Sequence, residues 1–176
     1  MSFSGDFKKY IRDISDFPKK GIIFKDITPL LKDPSAFKAL IELLTKRYES
    51  KNIDYVIAVE ARGFILGAAL AYSLGVGFIP VRKEGKLPAQ VCSISYQLEY
   101  GVDTLEIHKN DIETDSRIVI IDDVLATGGT ISAVVNLLDE MQATIIEIAF
   151  LIELTFLNGR EKLAQNKEKI FSFIEY

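Results

Sequence analysis

Apolar positions along this chain follow two rhythms. Short apolar runs at residues 55–59, 78–81 and 118–121, and a longer one at 145–154 interrupted by Glu147 and Glu153, read as buried strands. Residues 170–176 alternate and predict a terminal strand, and residues 91–100 and 104–109 predict two strands of a hairpin joined at Gly101, Val102 and Asp103. Between them the period lengthens. Ile131, Val134, Val135 and Leu138 fall at i, i+3, i+4 and i+7, one face of a helix. Phe37, Leu40, Ile41, Leu44 and Tyr48 make the same stripe over 35–50, with Ser35 as the candidate cap. Residues 64–74 predict a helix rich in small residues, closed by Gly75 and Gly77, and 156–165 a weaker one. Phe3, Phe7, Tyr10, Ile11 and Ile14 predict a short amphipathic helix over 3–14. Residues 15–35 carry Pro18, Pro29 and Pro34 and predict no regular element. Pro80 marks the strand at 78–81 as an edge or an early strand position.

Strands alternating with helices through the middle imply an α/β fold with a mainly parallel, twisted sheet flanked by helices. We read residues 1–176 as one domain. The segments 1–35 and 83–103 are expected to be appendages over the carboxyl edge of the sheet, where ligands of open parallel sheets sit.

The most informative stretch is 118–130. A buried strand ends in two carboxylates, Asp122 and Asp123, followed by Val124, Leu125 and the turn Ala126-Thr127-Gly128-Gly129-Thr130 that opens a helix. A helix start with free N–H groups is an anion site. Gly128 and Gly129 let a backbone approach a phosphate, and Thr127 and Thr130 add hydroxyl donors. The aspartates repel that phosphate and suit sugar hydroxyls or the neighbourhood of Mg²⁺. The stretch is neither the Gly-Lys-Ser/Thr loop of NTPases nor a Gly-x-Gly-x-x-Gly turn.

An apolar run, Asp-Asp and then Ala-Thr-Gly-Gly-Thr resembles the phosphoribosyl-pyrophosphate (PRPP) motif of the type I phosphoribosyltransferases. Four further stretches resemble one subfamily, the adenine phosphoribosyltransferases. Residues 17–31 resemble their hood, 60–64 (Glu-Ala-Arg-Gly-Phe) their pyrophosphate loop, and 82–88 and 95–101 the two parts of their flexible catalytic loop. The resemblance implies transfer of a 5-phosphoribosyl group from PRPP to adenine, giving AMP and pyrophosphate, in purine salvage. It implies Mg²⁺ held mainly through PRPP oxygens and water near Asp122 and Asp123. It also implies a homodimer in which the basic stretch at 82–86 reaches the neighbouring site.

On that reading Asp122, Asp123 and the loop Ala126, Thr127, Gly128, Gly129 and Thr130 take the ribose and its 5′-phosphate. Glu60, Ala61, Arg62, Arg82, Lys83 and Lys86 surround the diphosphate, whose departing charge must be neutralised. A basic run is more often a solvated surface. Beside Gly85 and Pro88, in an acidic chain, we reverse that reading. Glu60–Ala61 is expected to be a strained linkage, a cis peptide being one form of it. Glu99 is the acid–base candidate, Tyr100 packs over sugar and base, and Lys86 completes the catalytic set. Adenine falls to the backbone of Ile23 and Lys25, to Arg62, and to apolar cover from Phe24 and Val124 or Leu125, although Ile22, Ile23 and Phe24 taken alone read as core.

Composition narrows the classes. The 176 residues carry 21 Lys and Arg against 25 Asp and Glu, a net charge of −4, so no nucleic-acid partner is expected. No run reaches membrane-spanning length and no signal peptide is seen, so no membrane partner is expected and a cytoplasmic location is. Cys92, the single cysteine, forms no intrachain disulfide and fits a reducing compartment. His108 and the charged 162–169 run read as surface. Two other functions fit the same motif: a PRPP-sensing regulator without catalysis, and a phosphoribosyltransferase for another purine such as xanthine.

Overall fold

The computed structural model describes residues 5–98 and 101–176, with the side chain of Leu98 left out. The chain divides into two compact units, one ending at Arg47 and one spanning Tyr48–Tyr176.

In the first unit, a 3-10 turn at Phe7–Tyr10 leads into strand β1 (Arg12–Ser15), which pairs antiparallel with β2 (Ile23–Asp26). Arg12 Nε donates to Asp26 at 3.0 Å, and Lys25 Nζ donates to Asp13 at 2.8 Å. These cross-strand pairs correct the expectation of a helix over 3–14 and of an irregular 15–35. The helical spacing of Phe7, Tyr10, Ile11 and Ile14 is local, whereas the strand is fixed by partners 12 to 14 residues away. The peptide Phe17–Pro18 is cis. Two helices follow, α1 (Thr28–Lys32) and α2 (Pro34–Tyr48). The α2 cap is the Asp33 carboxylate, which accepts from the N–H groups of Ser35 and Ala36 at 3.0 and 2.9 Å, so Ser35 is not the cap.

In the second unit, the elements in order are β3 (Tyr55–Val59), α3 (Arg62–Leu74), β4 (Gly77–Lys83), β5 (Val91–Leu98), β6 (Gly101–His108), β7 (Arg117–Leu125), α4 (Gly129–Glu140), β8 (Thr144–Glu153) and β9 (Ile170–Glu175). One seven-stranded sheet runs β5-β6-β4-β3-β7-β8-β9. Strands β4, β3, β7, β8 and β9 are mutually parallel, and the β5–β6 hairpin joins antiparallel. Gly101, Val102 and Asp103 therefore belong to β6 and are not the turn. The hairpin is bonded into the sheet and is no loose appendage.

Alternation in β3 splits the sheet into two faces. Ile57, Ile79 and Ile120 join Ile131, Val134 and Leu138 of α4 in one apolar cluster. Ala58 and Ile121 point the other way, against Gly67 of α3, where an added methyl would stand 2.8 Å from the Ala58 side chain. Helices α3 and α4 thus cover opposite faces. Pro80 sits where β4 pairs with β3 only, because β6 meets β4 just at Arg82 and Lys83. Its missing N–H costs no ladder bond there. The weak helix expected at 156–165 is a pair of 3-10 segments, Thr155–Leu157 and Gly159–Lys169.

Candidate active site

Strands β3 and β7 are neighbours, and the chain leaves them toward opposite faces of the sheet. That is the switch point at which open α/β sheets hold ligands, beyond the carboxyl ends. Two turns meet there: Glu60 to Gly63 after β3, and Ala126 to Gly129 after β7. A surface pocket of about 470 Å³ bordered by Asp54, Gly77 and Glu113 lies instead at the amino ends of β3 and β4.

The first turn is held by side chains. Its Glu60–Ala61 peptide is cis, the form anticipated from the sequence. The Glu60 carboxylate accepts from Arg82 Nε at 2.7 Å and from the Lys83 N–H at 3.3 Å. Arg82 also donates to the Lys86 carbonyl at 3.1 Å, drawing the start of the hairpin loop toward Glu60. Lys83 forms an ion pair with Asp103 at 3.0 Å, which holds that carboxyl below the usual aspartate range. The Lys86 side chain is exposed.

Arg62 opens α3 and places its Nε 2.8 Å from Asp123 Oδ2. Asp123 is only 4% exposed, and its Oδ2 is held by that ion pair. Asp122 Oδ1 accepts from the Asp123 N–H at 2.9 Å. A methyl on Gly63 would stand 2.8 Å from the same Oδ1, so α3 can approach Asp122 only through a glycine. Burial and the neighbouring Asp123 charge push the Asp122 carboxyl well above its ordinary value. Burial also raises Asp123, and Arg62 opposes that rise.

The second turn is held by backbone packing. Gly128, the N-cap of α4, has φ of 77°, and no side chain caps the helix start. The first-turn N–H groups are thus left for another acceptor. A side chain at Gly128 would collide with the backbone of Gly159, and one at Gly159 with the Ala126 carbonyl. Gly129 differs: an added methyl meets nothing closer than 3.7 Å. Of the two glycines marked from the sequence, only Gly128 is required by conformation. Thr127 and Thr130 are half-buried, and the Tyr96 and Thr130 hydroxyls are 3.5 Å apart.

The expected residues therefore fall into clusters. Glu60, Arg82 and Lys83 meet, as do Arg62, Asp122 and Asp123. Leu125 is a correction: it is 1% exposed and packs into the core against Gly159, so it covers no ligand, while Val124 stays half-buried. Ile23, in the first unit, is 53% exposed and is not core. Phe24 is half-buried with its ring 5.2 Å from Phe17, and the Lys25 ammonium is bonded to Asp13. Glu99 and Tyr100 lie outside the described residues. Two neighbours were not foreseen, Gly159 and Lys162. Gly159 backs the 126–129 turn, and only its Asn-Gly dipeptide hinted at a tight turn. Tyr96, within the 95–101 stretch singled out from the sequence, reaches the turn from β5. Lys162, read as solvated surface, brings Nζ to 3.8 Å from the side-chain position of Gly129, with no signal in the sequence.

A sheet of this order with an acid pair and a glycine-opened helix at its switch point is the architecture of an enzyme that handles a phosphorylated sugar. The phosphoribosyl transferase domain family matches residues 26–175. The adenine phosphoribosyltransferase of Geotalea uraniireducens is 55% identical over 171 residues, covering 97% of this chain and 99% of the relative. The crystal structure of the adenine phosphoribosyltransferase of Thermoanaerobacter pseudethanolicus superposes with a TM-score of 0.91 at 55% identity, covering 97% of this chain and 98% of that one. The Trypanosoma brucei enzyme, solved with AMP, pyrophosphate and ribose-5-phosphate, gives a TM-score of 0.88 at 27% identity, covering 99% and 82%. The chain belongs to the type I phosphoribosyltransferase family, among its adenine phosphoribosyltransferases.

Proposed function

We propose that this protein transfers the 5-phosphoribosyl group of PRPP to adenine, giving AMP and pyrophosphate in purine salvage. One observation carries the reading: a carboxylate pair, Asp122 and the buried Asp123, beside a helix start with no side-chain cap. The first calls for a hydroxyl donor and the second for an anion, and ribose 5-phosphate offers both. The Trypanosoma brucei relative was solved with that ligand.

The N–H groups of 126–130 take the 5′-phosphate, with the Thr127 and Thr130 hydroxyls. Asp122 and Asp123 accept from the ribose hydroxyls. Adenine N9 attacks the anomeric carbon as its bond to the diphosphate oxygen breaks, and the N9 proton leaves to a base. Positive charge gathers on the ribose and negative charge on the leaving group, so groups aimed at the diphosphate stabilise the transition state more than the ground state. Glu60, Ala61, Arg62, Arg82, Lys83 and Lys86 are assigned to that end. Glu99 serves the proton, and Tyr100 packs over sugar and base as the 83–103 loop closes and excludes water. Adenine recognition is assigned to the backbone of Ile23 and Lys25, with Phe24, Val124 and Arg62. The edge of β2 away from β1 pairs with no described strand, so its backbone groups are available to a planar base.

Among the described residues no group of three or more His, Cys, Asp or Glu is arranged to hold a metal. The donor set, Asp122 plus an Asp123 paired with Arg62, fits a Mg²⁺ that arrives with its oxygens supplied by diphosphate and water. A Mg²⁺ held there would supply positive charge for the departing diphosphate. The chain is assigned as a homodimer in the cytoplasm. Among the described residues, no helix is long and apolar enough to cross a membrane.

The test is a turnover assay with PRPP, Mg²⁺ and a panel of adenine, guanine, hypoxanthine, xanthine and orotate. Turnover with adenine alone is expected; preference for xanthine, or PRPP binding without turnover, overturns the reading. Glu99→Leu is expected to lower kcat at nearly constant KM for PRPP, and full turnover by that variant removes the proton role.

A further inference from the structure

Behind the phosphate turn stands a charged cluster that no step above uses. Glu153 ends β8 and is 4% exposed. Arg160 grips it at two points, Nε to Oε1 at 2.7 Å and a terminal nitrogen to Oε2 at 2.6 Å. Ser172 of β9 donates its hydroxyl to Oε2 at 2.7 Å, and Arg160 donates to the Ile170 carbonyl at 3.4 Å. Arg160 is thereby tied to the ends of two strands.

Residue 159, directly before Arg160, is the glycine whose backbone fills the space behind Gly128 and Ala126. Neither contact leaves room for a methyl group. Interiors this close transmit displacement, because a shift on one side cannot be absorbed by empty space. The Leu154 N–H also donates to the Leu125 carbonyl at 2.9 Å, so β8 and the turn share a rigid frame. We propose that Arg160, clamped by Glu153, is a positioning residue for the 5′-phosphate of PRPP, pressing Gly159 against the turn so that its N–H groups converge on one point. This rests on the reading of Ala126 to Thr130 as the phosphate loop.

The pair suits that task. Hydrogen bonds from Arg160 hold the Glu153 carboxyl below the usual glutamate range, so the clamp is charged at neutral pH. The two-point geometry fixes the guanidinium in direction as well as distance. A displacement of well under an ångström at Gly159 moves the donors of a phosphate cradle out of line, and misplacements of about 1 Å cost on the order of a hundredfold elsewhere.

The test uses the full chain and three ligands. Glu153→Gln keeps the shape of the side chain and removes its charge. Arg160→Lys keeps the charge and removes the two-point grip. Binding of PRPP, ribose 5-phosphate and pyrophosphate is measured by calorimetry, well below the melting temperature of each variant. The Kd for PRPP and for ribose 5-phosphate is expected to rise about tenfold, with the Kd for pyrophosphate within about twofold. The kcat at saturating PRPP should stay near that of the parent. Parental affinity for ribose 5-phosphate in both variants overturns the proposal. So does an equal loss for all three ligands, which a merely structural role would give. Should the ionic variants fail to fold, Ser172→Ala, which removes one hydrogen bond to Glu153, is expected to show the same ligand pattern more weakly, and parental affinities there overturn it equally. Gly128→Ala separates the premises. If it binds PRPP normally, the phosphate-loop reading has failed; if it loses PRPP while Glu153→Gln does not, only the positioning role has.

Discussion

The turns at 60–63 and 126–130 leave adjacent parallel strands, start helices on opposite faces of one sheet, and are built by different means. The first is organised by charged side chains, Glu60 with Arg82 and Arg62 with Asp123. The second is organised by volume, with Gly128 and Gly159 so close that no side chain fits between them. Ion pairs can be exchanged for a ligand's charges, so on the proposed reading the first turn suits a diphosphate that arrives and leaves. Close-packed backbone cannot exchange, so the second can only be right or wrong. A leaving group calls for the former and a fixed anchor for the latter.

The largest effect is expected at the packed turn. Gly128→Val meets both the Gly159 backbone and a φ of 77°, which a β-branched residue adopts at high cost. Steady-state kinetics should show kcat/KM for PRPP reduced by roughly a hundredfold or more. Gly129→Ala, one residue on, should cost far less because its methyl has ordinary contacts only. Equal losses at the two positions would break the contrast.

The acid pair comes next. Asp123→Asn weakens an acceptor for the ribose and should lower kcat/KM by roughly ten- to a hundredfold, the scale of hydrogen bonds to charged groups. Asp122→Asn should lose activity and gain stability. Because the folded state raises the Asp122 carboxyl, the native chain binds that proton more tightly than the unfolded chain does. The resulting stabilisation is complete below the ordinary aspartate range and is lost as the pH rises through the raised value. An asparagine has nothing to lose. Melting curves should therefore show the variant gaining on the parent as the pH is taken from about 4 to about 8. A constant difference across that range would mean that Asp122 is not raised.

Smaller changes are expected in the exchangeable turn. Arg82→Ala frees Glu60 and should raise KM for PRPP by roughly tenfold, with a weaker salt dependence than the parent because one charge contact is gone. At the exposed end of the series, Lys162→Ala should raise KM for PRPP by about threefold, the scale of a solvated ion pair, and the difference should fade at high salt. If Lys162→Ala exceeded Arg82→Ala, the phosphate would depend on side-chain charge after all.

Much of this was legible in the chain. The β-branched apolar runs at 55–59 and 118–121, and the mostly apolar run at 145–154, point to the centre of a sheet, and β3, β7 and β8 lie there. Asp-Asp before Ala-Thr-Gly-Gly-Thr located the turn because that chemistry is local. What escaped was decided by distant partners. Arg12 and Asp13 form a strand because Asp26 and Lys25 are there to meet them. Leu125 looked like a ligand cover, and its neighbour 34 residues later, Gly159, makes it core. Lys162 gave no sign of its place beside Gly129, since a charged 3-10 segment reads the same over solvent or over a ligand site. The hairpin was placed two residues late because Gly101-Val102-Asp103 has turn chemistry, which β6 accommodates with Gly101 at a φ of 105°.

The joint between β4 and β6 has a mechanical meaning. Among the described residues, the β6 ladder meets β4 at just two pairs, Arg82 with Glu106 and Lys83 with Leu105, and the Lys83–Asp103 ion pair lies at the same corner. The hairpin's remaining adhesion comes from apolar residues such as Leu105, Ile107 and Ile94 in the cluster with α4. Apolar contact has no preferred direction, so the hairpin's orientation is set at that corner, beside Arg82 and Lys83, while the rest of its length is held by burial.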